Sequence, residues 1–339
     1  MSERVVGIKD VAAAAGVSVG TVSNVLNKPE AVSEERRERV QRVIEQLGYV
    51  PNDAARQLKA GVSRAIGLVV LDTSNPFYGA MALHAEDEAE ERGLGLFVAN
   101  SRGQHEKEKF YLSLFEQQRA RGILVAPTAG DLAPHRAVAE RGTRVVLVDA
   151  TVPEADFCSV VSDDAHGGFA AVEHLIRCGR KRISVIGGPA QYRQVIKRRE
   201  GAERAAAELG DVELNYVEPA DMSILAGRHA GERLAALPKR ERPDAIFAMN
   251  DLLATGVLQA LVMQRHLDVP RDVALIGYDD IDFCANAVVP ISSVRQPAPD
   301  MGRVAVELLE AEIDAGRAHS HRAVMLKPEL VVRESTGVA

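Results

Sequence analysis

The sequence predicts an α/β protein in which a small three-helix headpiece and a short linking helix precede a two-lobed, doubly wound body. Three observations carry this expectation. The chain is 339 residues long, and single hydrophobic cores stop growing at about 250–300 residues, so more than one unit is needed. From Ala65 onward, apolar runs alternate with helical stretches, the signature of βαβ repetition. The first sixty residues carry only helical periodicity and no strand-like run.

In that leading segment Ile8, Val11, Ala12 and Ala15 recur at the spacing of one helical stripe, and Gly16 offers the left-handed turn that stops it. Ser18 is a good N-cap for a second helix, whose inward positions are Val22, Val25 and Leu26. Ser33 caps a third, with Val40, Val43, Ile44 and Leu47 on one face before Gly48. Each helix is too short to stand alone in water, but three can share a core. The outward face of the second helix is the informative one. Val19, Gly20, Ser23, Asn24 and Asn27 leave it without a single charge, which is unusual for a solvated helix. It suits the major groove of DNA, where Asn pairs with base edges and Val meets a thymine methyl. The hydroxyls of Thr21 and Ser23 suit phosphates. A plain three-helix cap without a ligand fits the same periodicity.

Next, Tyr49-Val50-Pro51-Asn52 breaks the third helix. Asn52 can cap a brief helix, 53–60, that frays when isolated. Leu58 between Arg56 and Lys59 is what a minor-groove wedge needs: an apolar side chain to open a base step and cations for the flanking phosphates. These stretches, IKDVAAAAGVSVGTVSNVLN and VSEERRERVQRVIEQLGYVPNDAARQLKAG, resemble the headpiece and hinge of the lactose-repressor (LacI/GalR) family of bacterial transcription regulators, without a gap over residues 7–61. The resemblance implies phosphate contacts by Ser18, Thr21, Ser23 and Asn27, base reading by Val19, Gly20 and Asn24, and intercalation by Leu58. Ser33, Tyr49, Asn52, Arg56 and Lys59 complete the DNA-binding set. Gly20 is a departure, since many relatives carry a polar reader there.

In the body, the strand candidates are 65–71, 94–99, 122–127, 144–149, 182–188, 245–250 and 273–279, with helices at 77–92, 165–178, 191–209 and 251–266. Continuous apolar runs indicate parallel sheets covered on both faces. Ligands of such sheets bind beyond the carboxyl ends of the strands. The residues there are Asp72, Ser74, Asn75, Pro76, Phe77 and Tyr78, then Asp149, then Asn250-Asp251, then Asp279-Asp280. Amides, carboxylates and two aromatic rings suit a polyhydroxylated ligand, although Asp and Asn also cap helices without one.

SNPFY, HLIRCGRKRISVIGGP, FAMND, DVALIGYDD and SVRQP resemble the effector domain of the same family, which shares its fold with periplasmic sugar-binding proteins. That resemblance implies a cleft lined by Asn75, Phe77, Tyr78, Asp149, Arg198, Met222, Asn250, Asp279 and Gln296. Met222 departs from relatives with an aromatic ring there. The implied domains are a headpiece at 1–51, a hinge helix at 52–61 and an effector-binding and dimerisation domain at 62–339. Within the last, lobe 1 takes about 62–160 and 291–320, lobe 2 about 161–290 and 321–339, and the chain crosses near 160, 290 and 320.

Composition supports a soluble globular chain, 46% hydrophobic and 26% charged. No apolar run approaches the ~18 residues of a membrane span, and the charged amino end does not read as a signal peptide, so a cytoplasmic location is expected. The net charge is −7. Residues 1–60 hold nine bases against eight acids, and the remainder 32 against 40. A DNA-binding surface must therefore be local rather than global. Cys158, Cys178 and Cys284 form neither a disulfide framework nor a CxxC half-site. His319 and His321 could hold a metal as a pair, but in a polar stretch they read as solvated.

An enzyme is the main rival class. GxGxxG after a strand, GxxxxGK[ST] and HExxH are all missing, the GxSxG at Gly16–Gly20 lies between two helical patterns rather than after a strand, and neither Asp163-Asp164 nor Asp279-Asp280 has a nucleophile beside it. A transport protein that merely binds sugar does not need the headpiece. The expected protein is a homodimeric repressor with a pseudo-palindromic double-stranded DNA operator and a carbohydrate effector. No catalytic residue, cofactor, metal or membrane partner is expected. An activator that responds to sugar, or a regulator of this fold that responds to a purine or nucleoside, is the alternative.

Overall fold

The structure, a computed structural model, describes residues 6–50, 63–128, 131–150, 156–210 and 212–337. They form two compact units divided between Ser63 and Arg64. The expected linking helix at 53–60, with Asn52, Arg56, Leu58 and Lys59, lies outside the described residues.

The first unit is helical: α1 (Ile8–Ala15), α2 (Val19–Asn27) and α3 (Glu34–Leu47). Val11, Ala12, Ala15, Val22, Val25, Val40 and Val43 form its core, with Leu26, Ile44 and Tyr49 packed against them. Gly16 and Gly48 take left-handed conformations at the ends of α1 and α3. Ser18 caps α2 by accepting the Thr21 N–H at 3.1 Å. Ser33 stands at the start of α3, but its side chain makes no capping bond; its carbonyl instead accepts the N–H groups of Arg36 and Arg37.

The second unit runs β1 (Ala65–Val70), α4 (Pro76–Glu91), β2 (Gly95–Asn100), α5 (His105–Gln117), β3 (Gly122–Val125), α6 (Ala133–Glu140), β4 (Arg144–Val148), β5 (Cys158–Ser162), α7 (Asp164–Arg177), β6 (Arg182–Ile186), α8 (Arg193–Leu209), β7 (Glu213–Val217), α9 (Ile224–Ala235), β8 (Ala245–Ala248), α10 (Asp251–Leu258), β9 (Ala274–Asp279), α11 (Asp282–Ala285), β10 (Ser292–Arg295), α12 (Ala298–Ala315), β11 (Ala323–Leu326) and β12 (Glu329–Val331). Lobe 1 is built on a parallel sheet ordered β11-β5-β4-β3-β1-β2, and lobe 2 on β12-β10-β9-β8-β6-β7, in which only β12 is antiparallel. Helices cover both faces of each sheet. In lobe 1, α4 and α12 bring Met81, Met301 and Leu309 onto Ile66, Leu68 and Val146, while Leu112 and Val138 cover Ile123 and Leu147 on the other face. In lobe 2, α9 and α10 lie on one face and α7 and α8 on the other.

Two lobe boundaries differ from expectation. Ser292–Arg295 pairs with β9, so it belongs to lobe 2, and Ala323–Leu326 pairs with β5, so it belongs to lobe 1. The chain therefore crosses after Ser162, after Arg295 and after Leu326, and lobe 1 holds 64–162 with 297–326. Both strands are four residues long, one of them with two serines, and neither makes the continuous apolar run by which a buried strand shows itself. The same cause hides β5, β7 and β12. At the edge, β2 is less covered than its apolar run suggests, with Phe97 and Val98 largely exposed.

Candidate functional site

On the headpiece, the residues expected to face DNA lie on α2 and its cap. Ser18, Val19, Gly20, Asn24 and Asn27 are exposed, and Thr21 and Ser23 half-exposed. The Ser18 Oγ also lies 2.9 Å from the Thr21 hydroxyl, and the Asn27 side-chain amide donates to the Ser23 carbonyl at 2.8 Å. Asn24 has no such side-chain bond among the described contacts, so it is presented outward from a helix that carries no Lys, Arg, Asp or Glu. Tyr49 is half-buried against the headpiece core. Gly20 leaves the first turn bare, with the Ser18 Oγ 3.6 Å from where a Cβ would stand.

In the second unit, all nine residues expected at the cleft line one cavity of about 520 Å³ between the lobes. Lobe 1 contributes the loops after β1, β2 and β4, and lobe 2 those after β8 and β9 together with α8. Pro76 at the first position of α4 and the Asn75 cap on the Phe77 N–H start that helix at the cavity wall. Asn250 does the same for α10 through the Leu253 N–H, and its amide also donates to the Met222 carbonyl at 3.1 Å. The bland reading of these residues as caps and the functional one are thus both satisfied by the same side chains.

The charged centre is a linked set. Asp279 accepts from the Asn75 amide at 2.9 Å and from the Gln296 amide at 2.7 Å. The first of these bonds ties lobe 1 to lobe 2, and the second holds the crossing that directly follows β10. Arg198, 3% exposed, donates to Asp164 at 2.8 Å and to the Met249 carbonyl at 2.5 Å. Its guanidinium lies 3.7 Å from the Tyr278 ring centroid and 3.8 Å from Asp279. Tyr78 donates to Asp149 at 2.8 Å. Asp149 and Asp279 both hold positive φ, 55° and 110°, which costs about 1–3 kcal/mol each and is the kind of strain kept at binding sites.

Burial pushes Asp149 up to about 7, reinforced by the charge of Asp164 and opposed by Arg198. Burial likewise raises Asp164 and Asp279 against the pull of Arg198. For Arg198 burial acts downward, but the surrounding carboxylates outweigh it and fix the cation. The Oδ1 of Asp149 and the Oε1 of Gln296 are buried without a hydrogen-bond partner. Asp251 has a different role. It takes the Ile281 N–H and the Ser293 hydroxyl inside lobe 2, and burial pushes it up to about 8. Asp280 pairs with Arg295 and Arg333.

The cavity also takes in residues beyond those expected, among them Thr73, Asn100, Arg102, Tyr192, Gln194 and Asp221. Asn100 could have been found, since it directly follows a recognised strand. The others lie in loops or on a helix face with no local signature. Asp164, the partner of Arg198, was visible only as half of an acidic pair.

A helix-turn-helix headpiece followed by two doubly wound lobes around a polar cavity defines a DNA-binding regulator with a small-molecule binding domain. The chain belongs to the LacI family of bacterial regulatory proteins. Residues 7–52 match "Bacterial regulatory proteins, lacI family" and residues 172–336 match "Periplasmic binding protein-like domain". The ribose operon repressor of Escherichia coli (strain K12) is 34% identical over 331 residues, covering 97% of this chain and 99% of that one. The HTH-type transcriptional repressor PurR of Aliivibrio fischeri (strain MJ11) is 32% identical over 335 residues, 97% of each. The transcriptional regulator CelR–cellobiose complex is 31% identical with a TM-score of 0.67, covering 97% of this chain and 99% of that one. These relatives are transcription regulators, as is this chain.

Proposed function

We propose that this regulator is a homodimeric repressor released from or recruited to its operator by a neutral carbohydrate bound between the lobes. The single observation that carries the effector class is the balance of the cavity lining. Four carboxylates (Asp72, Asp149, Asp221 and Asp279) face two guanidiniums (Arg102 and Arg198). Five amides, Asn75, Asn100, Gln194, Asn250 and Gln296, stand among them, and Phe77, Tyr78 and Tyr192 give ring surface. Carboxylates accept from hydroxyls and repel phosphate, so the lining favours a sugar over a nucleotide or a sugar phosphate. Relatives and neighbours that carry ribose or cellobiose in their names support the same class.

On this reading Ser18, Thr21, Ser23, Asn27 and Ser33 hold phosphates, and Val19, Gly20 and Asn24 face the bases. The hinge residues Asn52, Arg56, Leu58 and Lys59, with Tyr49 leading into them, engage the centre of a pseudo-palindrome. A dimer places two headpieces on that palindrome. Its surface in lobe 1 is the flank of β2, where Leu83, Phe97, Val98 and Phe110 are about half or more exposed. No helix among the described residues is long and apolar enough to cross a membrane, and an operator-binding protein works in the bacterial cytoplasm.

Isothermal titration of the full chain with neutral mono- and disaccharides, sugar phosphates and purines tests the effector class. Selection of bound duplexes from a random pool tests the DNA half. A neutral sugar that binds, and enrichment of one pseudo-palindrome, are the expected results. Binding by a purine alone overturns the carbohydrate reading; no enrichment with or without ligand overturns the regulator's operator.

A further inference from the structure

At the edge of the first sheet remote from the cleft, four donor side chains from three segments converge. Cys158 opens β5, Glu312 lies in the last turn of α12, and His319 and His321 lie between α12 and β11. One ligating atom of each lies within 4.8 Å of all the others. The Cys158 Sγ is 3.0 Å from the His319 Nε2, and the His321 Nδ1 is 3.9 Å from the Glu312 Oε2. A tetrahedral ion with bonds of about 2.0–2.3 Å keeps its donors roughly 3.3–3.8 Å apart, so these two distances bracket the required spacing.

The protein alone leaves this cluster unsatisfied. Glu312 is 4% exposed, yet its Oε2 has no hydrogen-bond partner, and neither has the His321 Nδ1. Arg144 stands 3.8 Å from the other oxygen, Oε1, which leaves Oε2 turned towards the histidines. A buried carboxylate oxygen without a partner is costly, and a cation among these four atoms removes the cost. The surroundings are those of a held site. The Arg322 N–H donates to the Cys158 Sγ at 3.4 Å, the kind of outer contact that supports a metal-binding thiolate.

We propose that Cys158, Glu312, His319 and His321 bind a divalent ion of the zinc class in a closed tetrahedral site. One thiolate, two imidazoles and one carboxylate are a borderline-soft set, unsuited to Mg²⁺ or Ca²⁺, which take oxygen ligands. Four protein ligands leave no open position, so the ion is structural. It ties the end of α12 and the segment before β11 to β5, and so fixes the edge strand of lobe 1. The site shares no residue with the cleft. Sequence spacing hides it, because 161 positions separate Cys158 from His319, where recognisable zinc motifs place their ligands close together.

The full chain, free of any affinity tag and stripped of metal by chelator, is titrated with Co²⁺ and then Zn²⁺. One Co²⁺ per chain is expected, with intense visible bands of tetrahedral cobalt and a near-ultraviolet thiolate charge-transfer band, both abolished by one equivalent of Zn²⁺. Cys158→Ser should lose the charge-transfer band. The double variant His319→Ala/His321→Ala alters half-exposed positions. It should melt like metal-free wild type, bind Zn²⁺ about tenfold or more weakly, and lose the rise in melting temperature that Zn²⁺ gives wild type. A weak octahedral cobalt spectrum overturns the proposal, as does Zn²⁺ affinity unchanged in the double variant. Cys158 and His319 would then form only a hydrogen bond.

Discussion

Asp149 holds the cavity's least satisfied charge: one carboxylate oxygen takes the Tyr78 hydroxyl, and the other is buried without a partner. Its ordinary value is 3.8, and burial raises it to about 7. Between those values the folded chain holds a proton that the unfolded chain has released, so stability falls as pH rises through this window. Asp251, raised to about 8, adds to the same slope. Asp149→Asn keeps an acceptor for Tyr78 and removes the titration. A gain of about 1 kcal/mol corresponds to roughly 2–4 °C, so the variant should melt that much higher than wild type at pH 7.5 and approach wild type at about pH 4, near the ordinary carboxyl value. An equal offset at both pH values would show that the carboxylate is not what titrates. A sugar hydroxyl donating to the free oxygen favours the ionised form instead. On the headpiece, the proposed function has the exposed Asn24 read a base edge. Asn24→Ala should cost about 1–3 kcal/mol at one base pair of each half-site. Measured against a set of singly substituted operators, a loss equal on every sequence would mark Asn24 as a backbone contact. Residues of this kind were legible from strand ends and an uncharged helix face. Their pairings were not, because Asn75 and Asp279 lie 204 positions apart.

Helices α7 and α8 pack closely because glycines let their backbones meet. A Cβ on Gly201 would stand 2.0 Å from the Ala165 carbonyl oxygen, and one on Gly168 2.1 Å from the Arg198 carbonyl oxygen. Neither neighbour can yield as a flexible side chain would. Gly201→Ala should therefore push α8 away and cost about 1–3 kcal/mol in chemical denaturation. Arg198 lies one turn earlier on that helix, so effector affinity should fall as well. Lower stability with unchanged affinity would separate the packing from the site. Helices such as α3 and α7 were readable because their apolar stripes run for several turns. Strands β5, β10 and β11 were not. CSVVS, SSVR and AVML are buried or paired by what lies beside them in three dimensions, and four or five residues cannot show a period strongly enough to announce this. The misplaced lobe crossings follow from β10 and β11 alone.

The two units have separate cores, one of valines and alanines in the headpiece and others within the lobes. The described residues that line the cavity all belong to the second unit, with Asn75 on Asp279 joining lobe to lobe and Gln296 on Asp279 holding the crossing. A ligand that competes for those bonds changes the balance between open and closed lobes, and the equilibrium can move only by its difference in affinity for the two states. Deleting residues 1–61 should accordingly leave effector affinity near that of the full chain without DNA, and abolish operator binding. In the full chain, saturating effector should change the operator dissociation constant by about 5–150-fold, the range of a 1–3 kcal/mol coupling. Linkage demands that saturating operator change effector affinity by the same factor. The two titrations, each run with and without the other ligand, check this directly. A binding protein that merely carries a headpiece would give a ratio of one in both directions, and would be held by the cavity without being regulated through it.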